Sequence, residues 1–194
     1  MHSEKMNGVD SLTSAIASAS AMGESMDAKG VYKVQCFEYE DGPLLWEDTF
    51  DNVVCTAGKN LALDTILAGS AYTVTGPYMG LISSVSYSAT AAADTMASHA
   101  GWTEAGSTNA PTFAARIAPA WSAASAGAKA TSAAVSFTMT GAGTLVGAFI
   151  VFGPGAVTTL MNASGTLLSA GAFSGGNQVV NLGNVVNVSY SLTV

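Results

Sequence analysis

Alternation of apolar and polar residues organises the second half of the chain. Val186, Val188, Tyr190, Leu192 and Val194 fall on one side of an extended strand, with Asn187, Ser189, Ser191 and Thr193 on the other. Val135, Phe137 and Met139 alternate with Ser136, Thr138 and Thr140 in the same way and predict a second half-buried strand. Gly141-Ala142-Gly143 then turns the chain into LVGAFIVF, which is apolar on both faces and therefore expected in the centre of a sheet. TLLSAGAF and NQVVNL follow as two more strands, joined across Ser174-Gly175-Gly176.

The first half reads similarly from Gly30 onward. VYKVQCFEYE and LLWEDTFDNVV flank Asp41-Gly42-Pro43, a hairpin signal whose register would set Cys36 near position 47. TAGKNLALDTILAGS predicts one short helix, with Leu63, Ile66 and Leu67 as its apolar side and Gly69 at its C-terminal stop. PYMGLISS is a strand. Ala91–Ala100 predicts two helical turns, with Asp94 near the start and Gly101 at the end.

Eight or nine short strands with glycine turns define an all-β chain, a β-sandwich of jelly-roll-like form with one or two short helices. Residues 1–29 stand apart, being rich in serine, alanine and methionine with no aromatic residue. Ser11 is placed to cap a short helix carrying Leu12, Ile16 and Ala19 on one face. The segment reads either as a mobile tail or as an arm that orders only against a partner, reaching on the order of 100 Å when extended. The sandwich domain is then 30–194.

Charge sharpens this picture. Only 10% of residues are charged and the net charge is −7, so the chain lacks the basic patch that gripping nucleic acid requires. All 13 carboxylates lie at or before Glu104, and residues 105–194 carry only Arg116 and Lys129. A half so poor in charge stays in solution through hydroxyls and amides or covers its surface with neighbours, as subunits of assemblies do. No apolar run is long enough to cross a bilayer, and SAIASASAMG is too polar for the core of a secretory signal. Cys36 and Cys55 are expected to be reduced, partly buried thiols.

The candidate chemistry sits in ADTMASHAGWTE, residues 93–104. It holds His99 between Asp94 and Glu104, with Trp102 beside them. Asp94 and His99 are five residues apart, roughly 140° round a helix, so they do not stack as a ligand pair. With His2 in the tail, His99 has no histidine partner, and no D-x-D-x-D-G calcium loop is present. No serine lies in G-x-S-x-G, and Gly58-Lys59 supplies only one glycine of a phosphate loop. The pattern therefore argues against an enzyme and implies no cofactor and no metal. A structural role fits instead: Asp94 accepting N–H groups at a helix start, His99 favouring the helix dipole or bonding a carbonyl, Gly101 making a left-handed turn and Trp102 anchoring in the core. Glu104 either fixes the outgoing strand or pairs with Arg116, the chain's single arginine, for which Glu104 and Asp94 are the local partners.

Taken in order, NVVCTAGKNLALD, YMGLIS, ADTMASHAGWTE, Arg116 followed by Trp121, VGAFIVF and LLSAGAF resemble a widespread family of tailed-phage virion structural proteins. The resemblance covers roughly 30–194, and ADTMASHAGWTE is its most specific part. It departs from the family pattern at RIAPAW, where proline and tryptophan are spread out, and at Gly183-Asn184, where the family often has Gly-Asp. The resemblance implies a non-enzymatic role on the outside of the virion, favouring capsid decoration: a cement protein binding across major capsid protein subunits, as a homo-oligomer (dimer or trimer), with no nucleic-acid or membrane partner. The alternative is a tail or fibre-associated protein binding a host glycan, for which Tyr72, Tyr78, Tyr87 and Trp121 are the raw material.

Overall fold

The computed structural model describes residues 28–67 and 75–194, so the expectations for the N-terminal segment, the Ser11 cap, Gly69 and Tyr72 lie outside the described residues. Eleven strands and one helix make up the described chain, in two antiparallel sheets, one of them curled into a half-barrel. The all-β sandwich expected from the sequence is what forms.

The first sheet is built on β1 (Lys29–Phe37) and β11 (Val185–Thr193), which pair along their whole length, with β2 (Leu44–Asp51) outside β1. On the other edge of β11 lie β6 (Ala128–Ala130) and β7 (Val135–Thr138), end to end. The second sheet is centred on β8 (Gly143–Phe152), flanked by β4 (Tyr78–Ser83) on one side and β9 (Thr166–Ala172) with β10 (Gln178–Val180) on the other. The two-residue strands β3 (Val53–Val54) and β5 (Thr103–Glu104) close its edges.

Two long strands are interrupted, and the short strands β3, β5 and β6 make up the excess over the eight or nine expected. β6 and β7 are one strand broken at 131–134. β9 and β10 both run antiparallel to β8 on its one edge, so Ser174-Gly175-Gly176 does not reverse the chain. It bulges out, and Asp48 accepts the Ser174 hydroxyl and the Gly175 N–H there. Side-chain acceptors thus replace the ladder partners lost at the bulge.

Between the sheets, Tyr32, Val34, Phe50, Phe137, Val186, Val188 and Tyr190 meet Met79, Leu81, Leu145 and Ile150. A second core covers the outer face of the second sheet, where Ile82, Val146, Phe149, Val151, Leu167 and Ala170 pack under Met96 and Trp102. Burial on both faces explains the continuous apolar run in β8. Its facing changes between Val146 and Ala148, where the register against β4 shifts, so odd and even positions exchange cores.

The hairpin turn forms at Asp41-Gly42, with Asp41 left-handed at φ 58, and a bulge after Cys36 sets that residue opposite Trp46. Cys36 and Cys55 are free and buried. Asn184 uses both ends of its amide: its Oδ1 accepts the Asn181 N–H while its Nδ2 donates to the Glu38 carbonyl. A carboxylate has no such donor.

Helix α1 (Thr56–Leu67) corrects one expectation. Leu63, Ile66 and Leu67 do not face the core; Ile66 is 71% exposed and Leu67 76%. The helix instead docks on β9 through Gly58, where an added Cβ would lie 2.8 Å from the Leu168 Cα. That close backbone approach fixes which face is inward and leaves the larger apolar residues outside.

Candidate functional site

ADTMASHAGWTE does not form the expected helix. Residues 91–102 run as successive tight turns, with Asp94 N–H bonded to the Ala91 carbonyl, Thr95 and Ser98 exchanging backbone bonds, and Trp102 N–H bonded to the His99 carbonyl. Five of the ten residues 91–100 are alanine, a helix-favouring composition that tertiary anchoring overrides. Side-chain oxygens compete for the backbone: Asp94 Oδ2 accepts the Ala91 N–H at 2.8 Å, and Thr95 Oγ1 accepts the Ser98 N–H at 3.0 Å. Asp94 therefore ties a turn rather than a helix start.

Trp102 is the anchor. It is 1% exposed, its ring lies 5.2 Å from Phe149, and its indole N–H donates to Asp94 Oδ2 at 3.0 Å. His99 stacks on it at 3.9 Å and 21°, and its Nδ1 lies 2.9 Å from the Trp102 carbonyl. A carbonyl only accepts, so Nδ1 carries the proton there. The expected carbonyl bond of His99 is present, whereas there is no helix dipole for it to meet.

Gly101 also has a different reason from the one expected. Its φ is not positive; a Cβ there would lie 2.2 Å from the Ala89 carbonyl oxygen, which closes the loop back on itself. The Ser88 and Ala89 N–H groups both donate to the Gly101 carbonyl across the same contact.

Of the two partners open to Arg116, the structure selects Glu104. Arg116 Nε donates to Glu104 Oε1 at 2.8 Å and Nη2 to Oε2 at 2.8 Å, a two-pronged pair between side chains that are 1% and 3% exposed as residues. The guanidinium further donates to the carbonyls of Val157 and Asn162, and Glu104 Oε2 accepts the Met161 N–H at 2.7 Å. The Phe149 ring lies beneath, 5.5 Å from Arg116 Cζ. The pair thus staples the 157–162 loop to strands β4 and β5. Sequence inspection missed that loop, because its two acceptors are backbone carbonyls and carry no residue signature.

A cavity of about 240 Å³ opens above the pair, lined by Met96, His99, Glu104, Asn109, Arg116 and Met161. Both carboxylate oxygens at its floor already accept strong donors, so the floor presents neutralised, committed groups rather than a poised acid or base. Cys55, close by, has its thiol pushed up to about 11 by burial and by the Asp94 charge, which leaves it a poor nucleophile. Among the described residues, no three His, Cys, Asp or Glu side chains converge as metal ligands, and no helix is long and apolar enough to cross a membrane.

Fold and cluster together define an all-β sandwich in which the 93–104 loop is tied down by the Trp102, Asp94 and His99 contacts. Comparison with protein-family models, with curated proteins and with solved structures finds no match to the chain.

Proposed function

We propose that the chain is a non-enzymatic structural protein of a tailed-phage virion, of the capsid-decoration kind, binding across major capsid protein subunits on the outside of the head and self-associating as a dimer or trimer. The supporting observation is a pair of exposed apolar surfaces at opposite ends of β1. At the hairpin end, Tyr39, Leu44, Leu45, Val179 and Leu182 are exposed; at the other end are Leu63, Ile66, Leu67 and Val194. Leu182 and Ile66, one in each set, are both 71% exposed.

The nine residues of β1 separate the ends by about 27 Å. Two separated contacts suit a protein that bridges neighbours. A protein that binds only the assembled shell stabilises it by mass action. Purified protein should co-sediment with capsids, and Leu182→Asp and Ile66→Asp should each weaken binding at least tenfold; unchanged binding of both variants overturns the bridging reading.

The glycan-binding alternative has less support. Tyr78 and Tyr87 pack against the outer core and Trp121 against the inter-sheet core, leaving Tyr39 as the exposed aromatic among the described residues.

A further inference from the structure

Lysines gather at the apolar end beside α1. Of the five lysine and arginine side chains among the described residues, Arg116 is buried on Glu104 and Lys33 pairs with Glu47 at 3.4 Å. The other three make no ion pair among the described residues and stand at this one end. Lys59 lies on α1, Lys129 of β6 is opposite Leu192 of β11, and Lys29 of β1 is opposite Thr193 on the other side of β11. All three are exposed. The hairpin end carries the opposite sign, with Glu38, Glu40 and Asp41 exposed around Tyr39.

The end beside α1 is also recessed. A cavity of about 230 Å³ is lined by Ala28, Ala62, Leu63, Ile66, Leu168 and Val194 among others, with Lys59 in its wall. A second, of about 220 Å³, shares Leu168 and Leu192 and has Lys129 in its wall. Among the described residues, no side-chain carboxylate lines either cavity, and Asp64 is the one carboxylate of α1. A flat apolar patch accepts any apolar neighbour, whereas a recess accepts a protruding side chain as an anchor. Lysines around the recess then select a partner that brings carboxylates with its anchor.

We propose that this end takes a protruding apolar side chain of the major capsid protein flanked by Asp or Glu. The apolar group enters between Leu63, Ile66 and Leu168, and the carboxylates meet Lys59 and Lys129. The hairpin end, acidic where this one is basic, repels the same surface, so the two ends recognise different sites on the shell. The proposal rests on the capsid-decoration reading and names the chemistry of one of its two contacts.

The test is co-sedimentation of the full-length protein with shells of the major capsid protein alone. Lys59→Glu/Lys129→Glu should weaken binding by at least about tenfold, and raising salt from about 50 mM to about 500 mM should do the same to the unaltered protein. Lys33→Glu, away from the recess, should leave binding unchanged. Ala62→Trp fills the recess from an exposed position and should weaken binding by about tenfold, where a flat patch would bind as well or better. Melting temperatures should hold in all these variants, since every altered residue is exposed. Binding that survives the double reversal overturns the acidic partner and leaves the decoration reading in place, and binding unchanged by Ala62→Trp overturns the recess as the contact. Failure of the unaltered protein to bind shells overturns both. A double reversal that lowers the protein's own sedimentation coefficient while shell binding stays intact assigns the recess to the acidic hairpin end of a second copy, which also overturns the proposal.

Discussion

Glu104→Gln removes one charge from the buried pair while keeping the side chain's shape. In the native protein the guanidinium has both its prongs on the carboxylate at 2.8 Å, and Met161 N–H adds a third donor. The amide that replaces it turns an NH₂ toward one of these donors, and the Arg116 charge stays buried with one amide oxygen and the Val157 and Asn162 carbonyls in place of a carboxylate. Breaking a buried pair from one side costs about 3–5 kcal/mol. With a urea m-value of about 2 kcal/mol/M for a domain of this size, the midpoint should fall by about 2 M at unchanged m. The Met161 amide should lose exchange protection in the same variant, since its acceptor is the altered group. Adding Arg116→Met removes the stranded charge, so the double variant should be more stable than the sum of the single losses by about 2 kcal/mol. A midpoint shift below about 0.5 M, or strictly additive losses, refutes the staple.

Trp102→Ala should cost about 3–5 kcal/mol in denaturant unfolding, because it empties the outer core and strands Asp94, while His99→Asn should cost about 1 kcal/mol. Gly101→Ala forces a methyl into the Ala89 carbonyl and should destabilise by about 1–3 kcal/mol, where the left-handed reading would have predicted a milder loss at a residue of positive φ. Burial pushes Cys36 up to about 11, and burial with the Asp94 charge pushes Cys55 up to about 11, while burial also raises Tyr32 and Tyr190. Groups raised on folding contribute fully below their unfolded values, 9.0 for the thiols, and that contribution is lost as pH rises through the folded values. The melting temperature should therefore hold from pH 7 to about 8.5 and fall between about pH 9 and 11, with neither thiol reacting with a disulfide reagent before unfolding; a flat profile to pH 11 contradicts the burial of these groups.

The strands were legible because alternation and double-sided apolarity are local consequences of a pleated chain with one or two covered faces. Val186 through Val194 and LVGAFIVF show this most directly. What the sequence hid was decided by distant partners. Ala91–Ala100 has helical composition, yet the Trp102 anchor and the Asp94 and Thr95 oxygens hold it in turns. Leu63, Ile66 and Leu67 read as a buried face, but the contact of Gly58 with Leu168 sets the helix the other way. In the candidate site, the pairing of Glu104 with Arg116 was open to sequence reasoning, since one arginine in a charge-poor half needs a partner. The Val157, Met161 and Asn162 backbone groups that complete the site were not, because main-chain donors and acceptors look alike at every residue.

The virion reading is tested most directly by one electron cryo-microscopy map of the intact particle carrying this protein. Density for the sandwich should lie on the outer surface of the head, over joints between major capsid protein subunits. The Tyr39–Leu182 end and the α1 end should contact different subunits. Density confined to the tail, or a sandwich touching the shell through one end alone, would contradict it.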